Sequence, residues 1–322
     1  MINILVTGCA GFIGFSLCES LLENGYSVIG VDNLNPFYRE ENRGRDLLKL
    51  ESHPNYTFYK LDIRSDLSVL KSQQIDLVIH LAAKTGVTSS VYEIDDYFET
   101  NIIGTKNILE FMRSINCSKI IFSSSSSVYG LKCNGLLCEN DFSDNPMSPY
   151  ATTKKAGELL LYNYHHLFNF SVICLRLFSV YGQFQRSDLA IHKFTTLIDK
   201  QLPITIYGNG ESARDYTFIS DIINGFLRSI FFIQNNSYVY EIINIGNQEP
   251  VKIKDLTLKL YSLFNLEPNI IFEDSRKEDM ISTCANIQKA QTLLTYYPKI
   301  KFDDGLKTFF HWFISMKNNE QR

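Results

Sequence analysis

Residues 4–14 read ILVTGCAGFIG: an apolar run, then glycines at positions 8, 11 and 14, then the first apolar positions of a helical pattern. A glycine turn between a strand and a helix lets backbone N–H groups and the positive end of the helix approach a pyrophosphate. Taken alone, such a turn also fits a tight connection that binds nothing. The next β-branched run, SVIGVD at 27–32, ends in Asp32. That places an acid about 20 residues downstream, where a carboxylate bonds the adenosine ribose hydroxyls. The same charge repels a 2′-phosphate, so the pattern predicts NAD rather than NADP. Asp62, closing the run TFYKLD, is expected at the adenine edge.

The rhythm continues outward. Apolar runs INILVT, SVIGVD, TFYKLD, DLVIHLA, KIIFSS and SVICLRL alternate with helical patterns such as 11–24 and 92–115. Strand, helix, strand in repetition implies right-handed crossovers and a parallel sheet covered on both faces, and these runs lack polar alternation. The expected fold class is α/β: a Rossmann doubly wound parallel sheet with a smaller mixed α/β C-terminal substrate lobe. Residues 1–178 should form the dinucleotide-binding domain. Residues 179–322 should form the substrate lobe, with 219–246 returning to the first domain. Turn signals at YGNGESARD and GNQEP and helical patterns at 220–234 and 252–264 mark that second part.

Composition excludes several function classes. The 322 residues are 45% hydrophobic and 20% charged with formal net charge -4, so no global basic field points to nucleic acid or an anionic membrane. The start MINILVTG has no basic n-region or long apolar run, and a cytoplasmic protein is expected. Seven scattered cysteines (9, 18, 117, 133, 138, 174, 284), without a Cys-x-x-Cys pair or a His at ligand spacing, read as small thiols with no metal site.

The chemistry gathers further along. SPYATTKK at 148–155 spaces Tyr150 and Lys154 four apart behind a proline suited to a helix start. On a helix the two share a face, and an ammonium beside a phenol favours the phenolate, a candidate general base. The same spacing recurs at Tyr56/Lys60 in a strand pattern and at Tyr297/Lys301 across Pro298, both better read as packing or surface residues. Only Tyr150 follows a strand whose carboxyl end carries hydroxyls, Ser123–Ser127. In doubly wound sheets ligands sit beyond that edge, so the serine run reads as site lining rather than linker.

As a set, TGCAGFIG, VDNLN, HLAAKTGV, NIIGTKNILE, FSSSSSVYG, SPYATTKKAGE, LRLFSVYG, ARDYTFISDI and NIGN cover nearly the whole chain. In this order they resemble the extended short-chain dehydrogenase/reductases, specifically the NAD-dependent nucleotide-sugar epimerases and dehydratases. VDNLNPFY, SSSSVYG, YGQFQRSDLAIHKF and RDYTFISD look most like UDP-glucuronate 4-epimerases.

The resemblance implies a division of labour. Gly8, Gly11, Phe12, Ile13 and Gly14 would cradle NAD, with Asp32, Asn33, Asp62 and Ile63 at its adenosine end. Leu81, Ala82, Ala83, Asn101, Ser123 and Phe178 would line the rest of the cofactor cleft. Tyr150 would be the base and Lys154 would stabilise its phenolate and reach the nicotinamide ribose, while Ser125 hydrogen-bonds the sugar 4-OH. Val87, Ser126, Ser127, Ser179 and Arg186 would face the sugar, and Arg214, Arg276 and Asp279 the nucleotide diphosphate and uridine ribose.

Family 4,6-dehydratases carry Asp-Glu where this chain has Ser126-Ser127, and UDP-glucuronate decarboxylases carry Glu at the place of Ser127. The expected function is therefore interconversion of UDP-glucuronate and UDP-galacturonate through transient C4 oxidation with tightly bound NAD. The alternatives are the same chemistry on UDP-GlcNAc or UDP-glucose, a UDP-glucuronate decarboxylase, or a non-catalytic NAD-binding module. Thr88, where the glucuronate subgroup often has Arg, and Glu278, where the family has glycine, depart from the pattern. A homodimer through the helices at 92–115 and 150–168 is the family's usual assembly.

Overall fold

The computed structural model describes residues 1–35, 43–130, 135–274 and 282–320. Among these, twelve strands form three sheets. They are β1 (Asn3–Thr7), β2 (Ser27–Asp32), β3 (Tyr56–Lys60), β4 (Leu77–His80), β5 (Lys119–Ser125) and β6 (Ser171–Leu177), then β7 (Ser179–Tyr181), β8 (Ile204–Tyr207), β9 (Ala213–Phe218), β10 (Tyr240–Ile245), β11 (Pro250–Lys252) and β12 (Ile270–Glu273). Seven make one sheet in the order β10-β6-β5-β4-β1-β2-β3, and every pairing in it is parallel. The order reverses between β1 and β4, which opens a crevice at the carboxyl edge where doubly wound sheets bind ligands.

Both faces of this sheet are covered, which explains its apolar runs. Ile4 and Val6 pack with the helices Phe12–Glu23 and Ile219–Asn235, whereas Leu5 packs with Gly104–Ser114 and Pro149–Phe168 on the other side. This is the two-residue period of a strand buried on both faces. The six runs read from sequence all occupy this sheet. A seventh strand, β10, extends it along β6 from Tyr240↔Val172 to Ile245↔Leu177, so the helix at 219–235 is one more crossover. The chain leaves the sheet at Phe178, and β7 pairs instead with β9 in a three-stranded sheet, while β12 and β8 pair separately.

One reading needs correction: the helix expected over 92–115 is not continuous. Helical structure begins earlier, at Val87–Tyr92, breaks at Glu93 with φ -127° and ψ 42°, and resumes over Ile94–Phe98. A π-helical turn, Glu99–Ile103, then leads into Gly104–Ser114. The turn holds Asn101, whose buried amide accepts from the Lys84 backbone N–H at 2.7 Å and donates to the Lys84 carbonyl at 2.9 Å and the Thr153 hydroxyl at 2.9 Å. An apolar period near 3.6 cannot register one extra residue per turn, and such insertions gather beside functional sites.

Candidate active site

The glycine turn depends on having no side chain at two of its positions, 8 and 14. Gly8 sits at φ 74° and donates its N–H to Val31 O at 2.7 Å. A Cβ on Gly8 would stand 2.7 Å from the Ala82 nitrogen, and one on Gly14 would stand 2.0 Å from the Gly8 carbonyl oxygen. Backbone can neither yield nor rotate away there, so glycine is required at both places. At the end of β2 the Asp32 carboxylate accepts from the N–H of Ala10 at 3.1 Å and of Leu34 at 2.8 Å, which fixes it beside the turn. Asp62 accepts from the Arg64 side chain at 2.8 and 3.0 Å and from the Asn33 amide at 3.0 Å. Hydrogen bonds from Arg64, aided by Asn33 and opposed by burial, hold its carboxyl at about 2.

From this turn a single cavity of about 720 Å³ runs along the sheet edge to the serine strand, the helix carrying Tyr150, and the two smaller sheets. Ser148 caps that helix by accepting from the Ala151 N–H at 3.2 Å, and Pro149 follows at its first position. Tyr150 is thereby held in the first turn, its ring edge-on to buried Tyr97 with centroids 6.3 Å apart. Lys154 is 3% exposed. Its ammonium donates to the Ser123 carbonyl at 2.8 Å and lies 5.1 Å from the Phe122 ring centroid. Burial pulls it down to about 7, and the charge of Glu158 opposes that fall.

Ser125 ends β5 in extended geometry, and its hydroxyl accepts from the Ser127 N–H at 3.2 Å and the Ser127 hydroxyl at 2.9 Å. Ser125, Tyr150 and Lys154 line the same cavity as Gly8, Gly11, Gly14 and Asp32. Phe12, Ile13, Asn33, Asp62 and Ile63 line it too, as do Leu81, Ala82, Ala83, Ser123 and Phe178. Toward the two smaller sheets it is bounded by Thr88, Ser179, Arg186 and Arg214.

Four expected positions lie elsewhere. Asn101 is behind the wall, shaping the Lys84 turn as described above. Val87, Ser126 and Ser127 do not line this cavity, and the half-buried Ser127 donates its hydroxyl to Ser125. Arg276 and Asp279, with Glu278, lie outside the described residues.

Arg186 forks onto Asp188 at 2.8 and 2.6 Å and also donates to the Thr85 hydroxyl, so this cation spans from the loop after β7 to the loop after β4. Sequence reasoning passed over Lys84, which lines the cavity and pairs with Glu93 at 2.5 Å and with Asp96. It also passed over Lys193 and Tyr207 on the far wall. Lys84 lies within HLAAKTGV, but a lone lysine there reads equally as a solvated side chain, and only tertiary structure turns it inward.

Residues 4–246 match the NAD dependent epimerase/dehydratase family. The chain belongs to this family. A UDP-glucuronate 4-epimerase of Thermodesulfobacterium geofontis is 38% identical over 312 residues, covering 96% of this chain and 95% of that one. Among solved structures, UDP-glucuronic acid 4-epimerase from Bacillus cereus in complex with UDP-glucuronic acid and NAD superposes with TM-score 0.90 at 34% identity, covering 98% of this chain and 100% of that one. UDP-glucose 4-epimerase from Thermotoga maritima with UDP-glucose superposes with TM-score 0.89 at 28% identity over 98% and 100% of the two chains. A dinucleotide at this edge requires a tight, closely packed strand-to-helix turn and a fixed acid at the next strand end. Gly8 and Gly14 provide the first and Asp32 the second.

Proposed function

We propose that this chain is an NAD-dependent UDP-sugar 4-epimerase interconverting UDP-glucuronate and UDP-galacturonate. The observation that carries the reading is the convergence of Ser125, Tyr150 and Lys154 on the cavity that begins at the glycine turn. NAD, when bound on Gly8–Gly14 and Asp32, supplies a two-electron acceptor and donor for sugar C4.

The chain's own groups handle the proton. Tyr150 as phenolate takes the proton of the C4 hydroxyl and returns it once the sugar presents its other face. Lys154, four residues along the same helix and buried, places positive charge beneath that phenolate and lowers the cost of forming it. Ser125, oriented by Ser127, hydrogen-bonds the C4 oxygen. No carboxylate stands at Ser126 or Ser127, so elimination and decarboxylation lack a helper acid. While C4 is a carbonyl, the adjacent carboxylate must be kept from aligning with it. Ser179 and Arg186, both on the cavity wall, are assigned that task, with Ser127 supporting through Ser125. Arg214, with Arg276 and Asp279 by resemblance, takes the nucleotide diphosphate and ribose.

The same reading includes two domains, 1–178 joined by 219–246, and 179–322, and a cytoplasmic homodimer. Exposed Val91 and Tyr92 before the break at Glu93, Ile94 and Phe98 after it, and Leu159 and Tyr162 on the helix Pro149–Phe168 support that assembly. Among the described residues no helix is long and apolar enough to cross a membrane.

Proton NMR of the purified protein with a panel of UDP-sugars and no added cofactor tests the function. Interconversion of the two uronates is expected. Turnover confined to UDP-glucose or UDP-GlcNAc would replace the substrate, a choice favoured only by Thr88 on the wall, and release of a pentose would replace the reaction. Tyr150→Phe should lower turnover by about 10³-fold or more while nucleotide binding persists. Wild-type turnover in that variant removes Tyr150 from the base role.

A further inference from the structure

Beneath the serine strand lies an ion pair that the chemistry above does not use. Glu158 and Arg176 are each 1% exposed. The guanidinium forks onto the carboxylate at 2.8 and 2.8 Å, and the Ser124 hydroxyl donates to the same carboxylate at 2.6 Å. Tyr129, just after the serine run, stacks its ring 4.7 Å from the Arg176 guanidinium and donates to Asn244 at 2.6 Å. A buried pair is weak evidence for stability, because desolvating two ions offsets much of their attraction. Its place in the helix is informative: Tyr150, Lys154 and Glu158 repeat at four-residue intervals along one stripe, so Glu158 neighbours Lys154.

We propose that the Glu158–Arg176 pair balances the charge around the Tyr150–Lys154 pair and so sets the pH range in which the base operates. This rests on the reading of Tyr150 as the base, with Glu158 and Arg176 as positioning residues that act through Lys154. Among the described residues, the other groups named on the elements around Lys154, Glu158 and Arg176 are neutral or engaged elsewhere. β5 contributes the Ser123 carbonyl and the Phe122 ring. On β4, burial pushes His80 down to about 3, leaving it uncharged, while burial pushes the Cys174 thiol on β6 well up. Tyr240 on β10 reaches the Glu158 backbone carbonyl at 3.3 Å, and its hydroxyl is pushed up by burial. Tyr129 is likewise pushed up by burial. The Glu139 carboxylate accepts from the Asn244 N–H at 2.8 Å, and its backbone carbonyl meets Arg176 at 3.4 Å.

The sign follows from Coulomb's law. Glu158→Gln leaves Arg176 uncompensated, and an added positive charge makes both Lys154 and Tyr150 lose protons at lower pH. The whole rate profile therefore moves to lower pH, by about 1 unit. Arg176→Gln leaves the carboxylate uncompensated and moves the profile to higher pH by about the same amount. The double variant restores neutrality and should return to within about 0.5 unit of the parent.

The test is kcat at saturating sugar across pH for the two single variants and the double variant, with folding checked by circular dichroism. A packing role alone lowers kcat at every pH without moving the profile. Opposite displacements that cancel in the double variant support the proposal. Folded single variants with the parental profile, or a double variant displaced as far as either single, overturn it. If one single variant does not fold, the other and the double still carry the sign. A parent chain that converts no UDP-sugar removes the base reading itself, whereas an active parent with unmoved variants removes only the role of the pair.

Discussion

The two ends of the cavity present groups to a ligand in opposite ways. At the glycine turn the backbone does the work: the chain folds tightly onto itself and onto Ala82, which only Gly8 and Gly14 permit. At the other end, side chains from segments far apart in the chain line the cavity. Lys84 follows β4, Arg186 follows β7, and each is held by acids: Glu93 and Asp96 for the first, Asp188 for the second. A backbone site is encoded in consecutive residues, whereas a side-chain site is encoded in which distant segments meet. The first should tolerate almost no substitution, and the second should respond in degrees.

The largest effect that would break this contrast is expected at Gly14. Gly14→Ala brings a methyl to 2.0 Å from the Gly8 carbonyl oxygen and 2.9 Å from the Cys9 Cα, both of them backbone atoms. Overpacking of this kind typically costs about 1–3 kcal/mol, and here relief requires moving the turn itself. The variant should lose copurifying or added NAD in absorbance and calorimetry, with NAD affinity at least about tenfold weaker and a lower melting temperature. Parental NAD affinity would show that the turn is not the cradle.

A middle effect tests the other end. Arg214 borders the cavity on β9 and donates to the Ala213 carbonyl at 2.9 Å. If its guanidinium holds diphosphate oxygens, Arg214→Ala should weaken UDP affinity by roughly 10–100-fold, as expected for a charge-assisted hydrogen bond worth about 1.5–3 kcal/mol. Arg214→Lys should recover part of that loss, since a lysine keeps the charge but not the fork. Titration calorimetry with UDP decides the matter. Equal affinity in all three proteins would move the diphosphate away from this wall.

What could be read from sequence follows the same division. The glycines, Asp32 and the Tyr150–Lys154 spacing are local patterns whose geometry is fixed by a turn, a strand end and a helix, so they were legible before any fold was known. The parallel sheet was legible for a related reason: strands such as β6, buried along their whole length, leave uninterrupted apolar runs. The break at Glu93 and the π turn at Asn101 were not, because a single inserted residue barely disturbs an apolar period. Nor could sequence show that the Ser127 hydroxyl would bond Ser125, or that Lys84 would face inward, since both depend on which way a loop turns after leaving its strand.

The smallest effect lies at Asp62, on the cavity wall near the glycine turn, where the two strategies meet. Asp62 follows β3, so its position was legible, but its charge state is set by Arg64 and Asn33. Its folded-state carboxyl is depressed to about 2, below the ordinary value, by the Arg64 hydrogen bonds first. A depressed carboxyl contributes stability that is fully present above its unfolded pKa, about 3.9, and is lost as pH falls through the folded value. The group is partly solvated and its partner Arg64 is 36% exposed in its side chain, so water screens the pair and the contribution should not exceed about 1 kcal/mol. Asp62→Asn should therefore lower the urea midpoint slightly at pH 7, and the gap from the parent should narrow as pH is lowered from 4 toward about 2. A gap of the same size at both ends would assign the loss to packing. A pH-dependent gap would show that, even beside the backbone-built cradle, the side-chain pair contributes its own titratable share.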